Sequence, residues 1–171
     1  MTISMYQASV PLMTKMLINL KSILQKAIAH AKAKKIEESA LLNARLYPDM
    51  FVLTRQVQIA CDFGRATAAR LAGQEPPAYE ENEQSLAELV SRIERSVDYL
   101  QSLKPQQIDG SETREITIQI GGQPVHFVGQ NYLLRFALPN FYFHHTAAYA
   151  ILRQCGVEIG KRDYLGAFGA A

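Results

Sequence analysis

The side chains best able to do chemistry lie near the C-terminus. There Asn140, His144 and His145 interrupt an otherwise apolar segment, residues 139–155. At 3.6 residues per turn, Asn140 and His144 share one helical stripe. His145 falls about 100° round, on the stripe of Tyr142 and Tyr149. An imidazole among hydrocarbon needs a partner, because a buried polar group left unsatisfied costs about 1–3 kcal/mol. A metal, a backbone carbonyl, a Tyr hydroxyl or a carboxylate would each serve. One helix supplies no complete ligand set, so a hydrogen-bonded core histidine is the simpler reading. The sharper one makes His144 an acid, a base or a ligand.

A second polar stripe is Gln58, Asp62 and Arg65, at i, i+4 and i+7. Either Asp62 pairs with Arg65 along its own helix, or Gln58 or Asp62 points across the bundle toward His144. His30 sits beside a lysine-rich helix end, and neither it nor His126 has a His, Cys or carboxylate at ligand spacing. The sequence holds no Gly-x-Ser-x-Gly elbow, Walker-type phosphate loop, Cys-x-x-Cys or His-Glu-x-x-His, so those chemistries are unsupported.

The elements that position these residues follow from periodicity. Met13, Leu17, Leu20, Leu24, Ala27 and Ala31 recur at spacings of three and four, predicting a first helix over residues 5–34 with Pro11 in its first turns. Residues 36–47 connect it to a second helix, opened by Pro48-Asp49 and ending near Gly73. Its inward face carries small residues at Ala60, Gly64 and Ala68, which let a neighbour approach closely. A third helix spans 85–103. Residues 115–120 then alternate strictly, Gly121-Gly122 makes a two-residue turn, and 123–127 return. In that register Ile116 faces Phe127, Thr117 faces His126 and Ile118 faces Val125. The fourth helix, 139–155, is apolar almost all round, as befits the centre of a bundle or a subunit interface. The tail 157–171 is expected over the surface.

Composition sets the class. Hydrophobic residues make up 48% and charged residues 20% of 171 residues, enough for one globular domain over 1–171. A net charge of +2 without a dense basic patch argues against a nucleic-acid partner. No secretory signal pattern is evident, and the longest stretch without Asp, Glu, Lys or Arg, 136–152, is short for a bilayer span. Cys61 and Cys155 read as buried thiols in a reducing, cytoplasmic setting.

Longer runs carry a resemblance. Leu133-Leu134-Arg135-Phe136-Ala137-Leu138-Pro139-Asn140-Phe141-Tyr142-Phe143-His144, continued by Tyr149-Ala150-Ile151-Leu152-Arg153 and by Gly156 through Gly166, resembles a bacterial family known as a domain of unknown function, DUF1993. Pro48-Asp49-Met50-Phe51 and Gln56 through Asp62 look like it too. That family lies in the DinB/YfiT-like superfamily of helical-bundle metalloenzymes. The resemblance implies an up-down-down-up four-helix bundle, often a homodimer. It also implies a divalent metal, often nickel or zinc, held by one histidine from the second helix and a His-x-x-x-His pair on the last. Some relatives are thiol-dependent transferases or isomerases. Here His144 matches the second histidine of the pair, Asn140 stands at the first, and the second helix offers Gln58 and Asp62. Amide oxygens are poorer ligands than imidazole for such ions.

The fold expected is therefore mainly α: a DinB/YfiT-like four-helix bundle with a small β-hairpin before the last helix. The function expected is a degenerate metal or ligand site between helices, possessing metal- or thiol-linked chemistry if enzymatic. In that site His144 is the catalytic residue and metal ligand, and Asn140, Tyr142, His145, Asp62 and Gln58 bind a small molecule. The alternative is a non-enzymatic homodimeric helical module.

Overall fold

The computed structural model describes residues 2–167. Helix α1, Val10–Lys34, buries the predicted stripe from Met13 to Ala31 and carries Pro11 in its first turn. It starts later than expected. Residues 5–9 form turns, with the Ser9 hydroxyl donating to the Met5 carbonyl at 2.6 Å. A short α2, Glu38–Leu42, supplies the helical character expected of the connection.

Helix α3, Leu53–Leu71, also begins later than Pro48-Asp49 suggests. Pro48 instead occupies the second position of a turn closed by the Met50 N–H on the Tyr47 carbonyl at 3.0 Å, a place that suits its fixed φ. Helix α4, Leu86–Ser102, starts at a capping box in which Ser85 and Glu88 satisfy each other's backbone N–H groups. A single turn, α5 (Pro105–Ile108), leads toward the hairpin.

Strands β1 (Glu115–Ile120) and β2 (Gln123–Val128) pair in the predicted register, with Ile116 opposite Phe127 and Ile118 opposite Val125. Gly121 and Gly122 take φ of 57° and 79°, the double positive φ that a tight hairpin turn demands. Ile116 and Ile118 bury the inner face against the helices.

From β2 the chain runs on through α6 (Gly129–Asn131), a π-helical stretch (Tyr132–Ala137) and α7 (Leu138–Gln154). The sequence reading begins this helix at residue 139. The added turns carry Tyr132 and Phe136, whose rings pack 5.9 and 5.4 Å from Phe127 and dock the hairpin.

Helix α1 packs on α4, and α3 packs on both α7 and α4. Gly64 marks a close approach between helices: a Cβ there would stand 3.3 Å from Leu17, 3.7 Å from Leu100 and 3.8 Å from Phe141. Each fully buried Leu in this core contributes on the order of 1.5–3 kcal/mol.

The tail corrects its expectation. Val157 and Ile159 are buried, and α8 (Lys161–Leu165) places Tyr164 against α7; residues 168–171 lie outside the described residues. Among the described residues no helix is long and apolar enough to cross a membrane.

Candidate functional site

His144 lies inward on α7, only 9% exposed, with its ring stacked on Phe63 at 6.0 Å and edged by Phe143 at 5.2 Å. Its partner from α3 is Gln56, not Gln58 or Asp62. His144 Nδ1 and Gln56 Oε1 are 2.7 Å apart, and Gln56 Nε2 donates to the Phe51 carbonyl at 3.3 Å.

These contacts determine where the proton sits. A carbonyl oxygen can only accept, so the amide nitrogen of Gln56 must face Phe51. That turns Oε1, an acceptor, toward His144, and Nδ1 must therefore carry the hydrogen. Among the described residues nothing hydrogen-bonds the Nε2 lone pair, and that nitrogen is not fully buried. Burial, and after it the nearby Arg55 cation, lowers the His144 pKa below its ordinary 6.5, so the ring is neutral at physiological pH.

His145 shows the opposite arrangement. It is fully buried, and its Nε2 meets the Met16 carbonyl of α1 at 2.8 Å, so Nε2 carries the hydrogen. Its Nδ1 is buried without a partner. Burial lowers its pKa to about 4, although the Met16 contact pulls upward. The Tyr164 ring stands edge-on 4.7 Å away. His145 thus ties α7 to α1 and is sealed by α8.

The other expected site residues make their contacts with groups other than His144. Asn140 spends its amide nitrogen on the Phe136 carbonyl one turn back, at 2.7 Å. Tyr142 is half-buried edge-on to Phe141, and burial raises its phenol pKa. Gln58 donates to Glu83 at 2.8 Å. Asp62 pairs with Arg65, as its spacing suggested, and also with Arg92 at 2.8 Å.

Gln58 and Asp62 belong instead to a network that latches the connection between α3 and α4. Fully buried Arg92 donates to Glu83 and to the Glu80 carbonyl, each at 2.8 Å. Arg65 reaches the Pro77 carbonyl, and its guanidinium lies 3.6 Å from the centre of the Tyr79 ring. Burial raises the Glu83 pKa, but hydrogen bonds from Arg92 and Gln58 outweigh it and hold the carboxyl below the ordinary range. Beneath the network the fully buried Cys61 thiol is pushed up to about 12 by burial and is inert.

Sequence reasoning missed Gln56, though a signal existed. Gln56 lies four residues before Ala60 and eight before Gly64, on the inward stripe rather than the polar one. It missed Arg92 because a lone arginine on an amphipathic helix ordinarily reads as solvated.

The three-histidine metal site fails on the donors present. Among the described residues no group of three His, Cys, Asp or Glu side chains comes together. Gln56 and the open lone pair lie on opposite nitrogens of the His144 ring, so an ion bound at Nε2 would not meet Gln56 as a co-ligand. These residues do not fit that ion.

Residues 5–165 match the family described as Domain of unknown function (DUF1993). A solved structure of a DinB family member protein from Shewanella denitrificans is similar along almost the whole length. It is 43% identical with a TM-score of 0.90, covering 97% of this chain and 94% of that one. A comparison with curated proteins finds no match.

Proposed function

The chain belongs to the DUF1993 family and shares the DinB-type fold, and from that premise we propose that it works without a divalent metal, through one histidine of fixed tautomer. His144 presents a neutral Nε2 lone pair as hydrogen-bond acceptor or general base to a small polar ligand. The observation that carries this reading is the relay from the Phe51 carbonyl through Gln56 to His144 Nδ1. A partner that holds one imidazole nitrogen and frees the other is how proteins prepare a histidine for proton transfer. Phe63 and Phe143 pack on the ring and restrict access to it. The two free cysteines suit a reducing compartment.

The test is imidazole nitrogen NMR on the full chain near neutral pH. His144 should give the Nδ1–H pattern, and stoichiometric zinc or nickel should leave it unchanged. Tight stoichiometric metal binding with loss of that pattern would overturn the reading.

A second reading is favoured by a separate observation. Phe51 and Phe143, which flank the Gln56–His144 pair, are 56% and 57% exposed. In a homodimeric, non-enzymatic module these rings would be buried against a second copy. Sedimentation separates the two: a dimer that Phe143→Asp converts to monomer supports the module, while a monomeric parent protein removes it.

A further inference from the structure

A separate cleft of 570 Å³ opens between the end of α3 and the hairpin. Its lining includes two cations, Arg70 and Arg114, and two anions, Glu75 and Glu115. None of these four joins an ion pair among the described residues.

Arg70 is positioned by a hydrogen bond, and Arg114 is exposed at the rim. Arg70 donates to the hydroxyl of fully buried Tyr132 at 2.9 Å, which anchors it to the wall. Arg114 lies directly over Gly73, where any Cβ would collide with the guanidinium and where φ is +70°. Glycine at 73 permits the turn at that positive φ. Thr117 lines the same cleft with its hydroxyl held 2.8 Å from His126 Nδ1. Guanidinium forks suit a carboxylate, which can accept two parallel hydrogen bonds. The carboxylates of Glu75 and Glu115, close to the carbonyl end of α3, suit an ammonium group.

We propose that this cleft binds a small zwitterion, carboxylate on Arg70 and Arg114 and ammonium on Glu75 and Glu115, of the class of free amino acids and short peptides. A ligand bearing both charges completes four charges that the fold brings together but does not pair. The cleft is distinct from the His144 site, and neither proposal depends on the other.

Calorimetric titration of the full chain tests it, with L-alanine, glycylglycine, succinate and ethylenediamine as probes. One of the two zwitterions should bind and outcompete both single-sign probes, and the spacing of the charges decides between amino acid and peptide. Arg114→Gln and Glu115→Gln, both at exposed positions, should each weaken it about tenfold or more, the scale of one lost charge-assisted hydrogen bond. No binding of either zwitterion at about 10 mM, equal binding of succinate, or indifference to both substitutions would overturn the proposal.

Discussion

Replacing Gln56 by leucine tests the His144 relay most directly. Gln56 is 1% exposed and joins the Phe51 carbonyl to the His144 ring, so an apolar side chain of similar size strands two polar groups at once. Each buried group left unsatisfied costs about 1–3 kcal/mol, and the Phe51 carbonyl, being part-buried, lies at the low end. The leucine recovers part of that by burying hydrocarbon. The net expectation is a loss of about 1–3 kcal/mol, hence a fall in Tm of about 3–9 °C for a chain of this size. Urea denaturation reads the stability and imidazole nitrogen NMR reads the proton. In Gln56→Leu the single Nδ1–H pattern should give way to a mixture of tautomers. In Gln56→Glu the pattern should persist, while a carboxylate at the same distance moves the His144 pKa upward from its lowered value. A Gln56→Leu protein that keeps both its stability and one tautomer would refute the reasoning, since the amide would then orient nothing.

Three further outcomes follow from the buried charges and thiols. His145 titrates at about 4 when folded and near 6.5 when unfolded, so between these values the unfolded chain binds the extra proton. Its contribution is complete above about pH 7 and declines by about 1.4 kcal/mol per pH unit as pH falls from 6.5 toward 4, which His145→Gln should flatten in stability measured against pH. Arg92→Met leaves Glu83 buried and Asp62 with one cation fewer, and should cost about 3–5 kcal/mol in urea denaturation; a loss under about 1 kcal/mol would show that the latch is not built on that guanidinium. A thiol reagent should modify half-buried Cys155 first and reach Cys61 only at the rate of unfolding, as mass spectrometry of the native protein would show.

Helices and hairpin were legible from sequence for a common reason. The apolar stripe of α1 and the alternation through Ile116 and Ile118 are local patterns, set by backbone geometry within a few residues. The start of α3 was misplaced because proline suits both a first helical turn and the second position of a β-turn. The bond from the Met50 N–H to the Tyr47 carbonyl, at 3.0 Å, and that from the Leu53 N–H to the Ala44 carbonyl, at 2.9 Å, decide between these.

The site divides the same way. That His144 and His145 need partners follows from imidazoles on a greasy helix, and hence from sequence alone. Which partners they found was decided by tertiary structure, because the rotation of α3 about its axis determines whether Gln56 or Asp62 meets α7. That rotation is set by the close approach at Gly64 and by Arg92 drawing Asp62 toward α4. Helical period tells which residues share a face, but only packing between helices tells what that face confronts.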